Sequence, residues 1–406
     1  MPLAVYVLGL GIFSQVTSEF MVAGLMAELA GDLGVSVAQI GYLISVYAAA
    51  MTIGGPLMTL GLLKMPRRRA LLLLFGVFLV GQVLGATAPG YEVMVVARLI
   101  TGVAASAFYG VALALCAEVV GPELRGRAMS IVLGGMMVGT VLGLPAASLI
   151  GSNFGWRASF WAVAALAALA ALITYLLIPA SPRPEVFGVR EELTAFRSGR
   201  LWAVYATSLL VIGATFAAFS YLTPILTDVS GFSAGTVPLL LVGYGAATVL
   251  GNFVVGRLAD RFTLAVLAVG VLALAVFLTV FAIGAGSGVV AVASLIGIGL
   301  VGITMNPALA TRVVRTANGR PLVNTVHTAV ITLGIMIGSW AGGLGISQGG
   351  GLRSPLWIGL GLALAGFLTL VPDLLRRPAA ATPENAPLPL SEPTELSTPA
   401  ELSERH

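Results

Sequence analysis

Three ionisable side chains, Glu19, Arg98 and His327, stand deep in stretches otherwise almost free of charge. Such groups are costly in hydrocarbon, so they mark a pathway, a proton relay or a paired site. Glu19 lies about eight residues from the far end of the first apolar run and Arg98 about six from the near end of the fourth, which at about 1.5 Å per residue puts both roughly 10 Å below one surface. A carboxylate and a guanidinium at one depth can share a water-filled cavity, with Arg98 as counter-ion to Glu19 until a proton or a bound molecule displaces it. They can equally form a fixed structural ion pair. His327, which titrates near neutrality when unperturbed, either takes a proton, forms a polar patch with Asn324 one turn earlier, or is a satisfied interhelical histidine. Gln15, Ser18, Tyr47, Tyr109, Tyr221, Asn252, Asn306, Asn324 and Trp340 are the polar and aromatic groups able to touch a small molecule. The same residue types also serve interhelical hydrogen bonds and packing.

Other chemistries lack their residues. There is no set of His, Cys, Asp and Glu at metal-binding spacing, no phosphate-cradling glycine loop ending in Lys-Ser or Lys-Thr, and no nucleophilic triad that one compartment could assemble. No metal, no cofactor and no enzymatic activity are therefore expected, and energy for any work must come from an ion gradient or a solute's own gradient. The single cysteine, Cys116, lies in an apolar run and builds no disulfide framework. The net charge of +4 does not point to nucleic acid, because the basic residues are scattered among connections rather than gathered on one face.

The elements that must position these groups follow from composition. Hydrophobic residues make up 58% and charged residues 9% of 406, with a mean hydropathy of +1.01. A water-soluble surface needs about 25% charged residues, so lipid is the solvent here. Apolar runs long enough to cross a bilayer recur twelve times, at about 4–27, 38–62, 70–88, 92–119, 127–150, 158–179, 202–226, 237–257, 262–284, 287–311, 322–345 and 354–374. The first lacks a basic leader and contains Glu19, so it is expected to be a retained helix. Arg and Lys concentrate after even-numbered runs, while the opposite connections hold only Arg157 and Arg353, which predicts that both termini face the cytoplasm. The expected fold is all-α and polytopic, with two six-helix bundles at 1–179 and 202–377. A cytoplasmic linker at 180–201 joins them, and a Pro-, Ser- and Glu-rich tail at 378–406 has too little apolar surface to fold. Val189, Leu193 and Phe196 in the linker fall at helical spacing, so it is either a surface-lying amphipathic helix or a solvated connection.

Gly135, Gly139 and Gly143 stand four apart and let another helix approach. Pro145 and the pair Asn306-Pro307 should bend their helices. After run eight the chain reads Gly256-Arg257-Leu258-Ala259-Asp260-Arg261, whose charges can either latch run eight to run eleven or only set topology.

Several of these segments resemble the twelve-helix drug:proton antiporter branch of the major facilitator superfamily. Thr17-Ser18-Glu19-Phe20 with Ala23-Gly24-Leu25 is similar to the opening of that branch, and Ala97-Arg98-Leu99-Ile100-Thr101-Gly102 to its helix 4 motif. Gly256 to Arg261 resembles its loop motif, Gly135, Gly139, Gly143 and Pro145 its antiporter motif, and Phe154 to Trp161 its helix 5–6 junction. Met1 to Ala23 and Phe219 to Pro224 look nearest to actinobacterial chloramphenicol exporters, with sugar efflux permeases as near relatives. The first loop motif departs from the pattern, with Leu63 or Lys64 where an Asp is expected.

The resemblance implies proton coupling and substrate response for Glu19 and Arg98, in a monomeric bacterial inner-membrane protein that exchanges protons for a small, fairly apolar compound. A sugar or metabolite exporter, a proton-coupled importer and a non-transporting membrane sensor are the rival readings.

Overall fold

The computed structural model of the chain describes residues 1–62, 64–120, 122–178, 196–317 and 321–375. The expected tail at 378–406 and the linker residues 180–195 lie outside these. Twelve described helices are long and apolar enough to cross a membrane: helix 1 (Leu3–Gly24), helix 2 (Val37–Leu62), helix 3 (Arg67–Ala86), helix 4 (Tyr91–Cys116), helix 5 (Arg127–Phe154), helix 6 (Trp156–Leu177), helix 7 (Gly199–Phe219), helix 8 (Val237–Ala259), helix 9 (Arg261–Gly284), helix 10 (Gly288–Ala317), helix 11 (Val323–Gly350) and helix 12 (Ser354–Leu375). No strand occurs among the described residues.

The helices group as two sets of six. Helix 1 packs on helices 5 and 6, and helix 3 on helices 4 and 6; helix 7 packs on helices 11 and 12, and helix 9 on helix 12. Helix 2 meets helix 11 and helix 5 meets helix 8 across the two sets. The end of the bundle where helices 2, 4, 8, 10 and 12 finish carries the arginines and is called the arginine-rich end below.

Several boundaries differ from expectation for one reason. Helices 3, 7 and 10 take in Arg67, Arg200, Arg312 and Arg315, residues assigned above to connections. A long basic side chain at a helix end can reach past the hydrocarbon, so it need not end the helix. Helix 7 therefore begins within the expected linker. At its other end it stops at Phe219, short of the expected 226, because Tyr221 adopts φ −118°, ψ 14° ahead of Pro224. Pro224 has no N–H to return to Ser220. Helix 1 breaks in the same way at Leu25, with φ −111° and ψ 14°.

Glycines bring helices to backbone contact in both sets. Methyl groups at Gly135, Gly139 and Gly143 of helix 5 would collide with Gly9, Val16 and Thr17 of helix 1. A second stripe, Gly334, Gly338 and Gly342 of helix 11, meets Leu209, Gly213 and Ala217 of helix 7 in the same manner. Without side chains between them, the main chains gain dispersion contact that lipid cannot supply. Pro145 leaves helix 5 continuous, but it deprives the Val141 carbonyl of its usual donor four residues on. That carbonyl faces Gly245 of helix 8, where a Cβ would lie 2.8 Å from it. In helix 10 the break comes before Asn306-Pro307, at Gly302 (φ −78°, ψ −98°) and a 3₁₀ turn over Ile303–Met305. Pro307 then sits in the first turn of the resumed helix, where its missing donor costs nothing.

Candidate functional site

Helix 1 presents Gln15 and Glu19 on one face, since residues four apart stack one turn above another. Helix 4 aims Arg98, Thr101, Ala105 and Tyr109 along a single stripe for the same reason. Tyr47 of helix 2 and Gln82 of helix 3 complete the cluster.

Arg98 is almost fully buried, at 1% exposure, whereas Glu19 is only partly buried. The guanidinium does not pair with the carboxylate. Its Nη1 donates to the Ser18 carbonyl at 2.8 Å and its Nη2 to the Glu19 carbonyl at 3.2 Å. Its flat face lies over the Tyr47 ring, 4.0 Å from the centroid. Both expected pairings, a displaceable counter-ion and a fixed ion pair, therefore give way to a different geometry. Helix carbonyls hold a second lone pair and the tyrosine ring a negative face, which together solvate a buried cation without a carboxylate.

The Glu19 carboxylate is left to the cluster's hydroxyl: Tyr109 Oη donates to Oε2 at 3.3 Å. Tyr47 Oη donates to the Gln15 carbonyl at 3.5 Å. Ser18 Oγ accepts from the Gln82 amide, a partner not anticipated above although Gln82 is the lone amide of helix 3. Both amide atoms of Gln15 are buried without a hydrogen-bond partner among the described residues. A buried amide lacking partners is costly, so this side chain is equipped to bind water or a solute that brings complementary groups.

The remaining candidates are placed elsewhere. His327 bonds Ser208 of helix 7 through Nε2 at 2.9 Å and stacks on Tyr205, 6.0 Å between centroids. Asn324 is exposed, so the expected patch between it and His327 is not formed; the histidine ties helix 11 to helix 7 instead. Asn306 and Trp340 are also exposed. Tyr221 is buried, donates to the Ser339 carbonyl at 2.8 Å and fills the space left by Gly41, Gly342 and Gly343. Asn252 Nδ2 lies 3.6 Å from the Met137 sulfur, across the two sets.

Of the expected latch, the described side chains are Arg257 and Arg261, and both lie against aromatic rings. Arg257 stacks on Phe253 of its own helix, 3.6 Å from the centroid, and Arg261 lies 5.1 Å from Phe262. Gly256 and its counterpart Gly61 have open space where a Cβ would stand. The Asp260 side chain, and with it the expected latch, lies outside the described residues. No ion pair joins the two sets among the described residues.

At the opposite end the two sets are closed on one another. Phe20 of helix 1 stacks on Phe216 and meets Phe219 edge to face, both of helix 7, at 6.0 and 5.5 Å between centroids. Thr223 Oγ1 donates to the Ala23 carbonyl at 2.8 Å, and the Tyr42 and Tyr221 rings press against Gly343. Outside the spans, Asp32 accepts from Arg157 and from Trp156 Nε1. Those two donors hold its carboxyl below the usual carboxylate range.

Among protein-family models, the one described as Major Facilitator Superfamily matches residues 8–325 and 224–403. The chain is 35% identical over 371 residues to the chloramphenicol resistance protein of Streptomyces lividans, covering 90% of this chain and 95% of that one. It is 33% identical over 346 residues to the inner membrane transport protein YdhP of Escherichia coli K12, covering 84% and 88%. Among solved structures it is similar to a bacterial homologue of the human lysosomal transporter Spinster in an inward-facing, occupied conformation, with a TM-score of 0.77 at 17% identity, covering 91% and 96%. A mutant of the nucleoside transporter NupG matches with a TM-score of 0.75 at 16% identity, covering 92% and 99%.

Proposed function

The chain belongs to the major facilitator superfamily, and from that premise we propose that it is a proton-driven antiporter that exports a small, fairly apolar compound of the chloramphenicol kind. It is a multi-pass inner-membrane transporter of small molecules rather than an enzyme. Direction, coupling and cargo are our proposal, as are a monomeric state, two cytoplasmic termini and an arginine-rich end on the cytoplasmic side.

One observation carries the coupling. Glu19 is partly exposed, bonded only weakly to Tyr109 among the described residues and not paired with Arg98, so its proton can leave and return without dismantling an ion pair. Arg98 acts as a positioning residue that fixes helix 1 against helix 4 through main-chain carbonyls. His327 has no part in this scheme, because its ring nitrogen is engaged with Ser208.

The cycle is alternating access. With the outer end open, Glu19 takes a proton; the halves then rock, and release of that proton to the cytoplasm admits the cargo. Closure at Phe20, Phe216 and Phe219, with open space beside Gly61 and Gly256, suits the inward-open stage of that cycle. A proton crossing about 150 mV releases roughly 3.5 kcal/mol, enough for a gradient of about 300-fold in a neutral cargo.

Met51 and Ala105, packed with Tyr47 and Tyr109 of the cluster, support a fairly apolar cargo, whereas the unpartnered amide of Gln15 favours a sugar or metabolite as second reading. The test is proton movement in proteoliposomes under an imposed pH gradient, with chloramphenicol and then a sugar added. Flux evoked by chloramphenicol and lost in Glu19→Gln supports the proposal. Flux evoked only by sugar transfers the cargo to the second reading, and flux that survives the substitution removes Glu19 from coupling.

A further inference from the structure

At the end opposite the arginines, the seam between the halves holds a side chain that the scheme above does not use. Tyr221, just past the last residue of helix 7, is fully buried, at 0% exposure. Its ring lies between helix 11 and helix 2. A methyl group at Gly342 would come within 2.7 Å of the ring, and one at Gly41 would fall on its hydroxyl end. Helices 7 and 11 belong to the second half and helix 2 to the first, so the ring crosses the seam.

Its hydrogen bonds reach one side only. Tyr221 Oη donates to the Ser339 carbonyl at 2.8 Å, and the adjacent Ser220 Oγ shares a hydrogen bond with Ser339 Oγ at 2.8 Å. Both tie this segment to helix 11 of its own half. Gly41, without a side chain, meets the ring by packing. Tyr42, the next residue of helix 2, returns the arrangement: its ring presses on Gly343 of helix 11, where a methyl group would lie 2.7 Å from it. Each half therefore lodges a tyrosine ring against a glycine of the other.

Such a contact has two discrete states. A ring withdrawn only part of the way leaves a gap too narrow for water and forfeits its dispersion contacts. One withdrawn fully exposes apolar surface but keeps its bond to Ser339. The hydrogen bond from Thr223 to the Ala23 carbonyl, two residues on, would part in the same movement.

We propose that Tyr221 is the bolt of the outer gate. It travels with the second half, seated against Gly41 while the outer end is closed and withdrawn from it when that end opens, so the fit of this one ring sets how readily the outer end opens. The proposal rests on the alternating-access reading above, but its readout needs neither a proton gradient nor a cargo.

The test compares Gly41→Val, Tyr221→Ala, the two combined, and Tyr221→Phe in the full chain. Spin-label distances between the outer ends of helices 2 and 11 are read beside thermal unfolding in the same micelles. Gly41→Val puts a side chain where the ring sits, and the glycines of helix 11 leave the ring no retreat, so the ratio of open to closed outer ends should rise about tenfold or more. Tyr221→Ala leaves a cavity in the closed form and should raise the ratio by a smaller factor. The combined variant refills the slot and should return the distances to those of the wild type. Tyr221→Phe keeps the ring and should leave them unchanged. Distances unmoved by Gly41→Val, or opening that the combined variant does not reverse, would overturn the proposal. So would variants that all lower the unfolding temperature without moving the distances, the mark of a ring that serves packing alone. Where Gly41→Val yields no folded protein, Tyr221→Ala decides alone, and wild-type distances in it overturn the proposal. A failure of proton coupling in Glu19→Gln leaves each of these outcomes standing.

Discussion

The two halves are built on one crossing and furnished with different chemistry. In the first, helix 5 glycines lie on helix 1; in the second, helix 11 glycines lie on helix 7. The same interval separates Gly9 from Leu209, Phe13 from Gly213 and Thr17 from Ala217, the residues met by successive glycines in the two crossings. Carried one step further, that interval sets Glu19 against Phe219. The first half thus places the Glu19 carboxylate where the second places Phe219, which packs ring against ring with Phe216 and Tyr244. A duplicated scaffold can keep its packing symmetrical while giving titration to one copy and an apolar wall to the other.

The sharpest way to break this comparison is Glu19→Gln. We expect proton flux evoked by cargo to fall about 100-fold or more, with the protein still folded by thermal unfolding; an equal loss in Phe219→Leu would mean that the halves share the task. Next in size are Gly135→Val and Gly338→Val. Each inserts a side chain where two backbones touch, and overpacking should cost about 1–3 kcal/mol in reversible unfolding in mixed micelles. Similar costs at both positions would uphold the structural equivalence, and a large difference would refute it. Phe20→Ala removes the ring shared between the halves, worth about 0.5–1.5 kcal/mol per aromatic pair. It should shift the population towards outer opening, read as a longer spin-label distance between the outer ends of helices 1 and 7.

The smallest effect concerns Asp32, clasped outside the membrane by Arg157 and Trp156. Its carboxyl is lowered in the folded protein, so its contribution is present above the ordinary carboxylate range and is lost as pH falls through the folded value. Asp32→Asn should therefore melt slightly below wild type at neutral pH, and the gap should close in acid.

Much of the architecture was legible because the bilayer imposes lengths: twelve apolar runs became twelve spans. Glu19 and Arg98 were legible because ionisable groups in such runs have few reasons to exist. Their relation was not, because Arg98 bonds main-chain carbonyls, which every residue has and no side-chain pattern reports. Gln82 carried a signal, as the lone amide of an apolar helix, and the spacing of Gly334, Gly338 and Gly342 repeats that of the stripe singled out in helix 5. Tyr221 illustrates the opposite error: its type suggested contact with cargo, yet three glycines around it make it a packing wedge. The break in helix 7 depended on a backbone turn at Tyr221 that Pro224 only hints at.

The grip of Arg98 on carbonyl oxygens also has a genetic meaning. Any amino acid at position 19 supplies the same carbonyl, so the arginine keeps its anchorage when the glutamate side chain is exchanged. In a random screen for lost transport, substitutions at 19 should surface as abundant, correctly inserted protein that does no work. Substitutions at 98 should surface as scarce protein, cleared before its activity can be assayed. Immunoblot abundance across such a collection would sort the two positions into separate classes of allele.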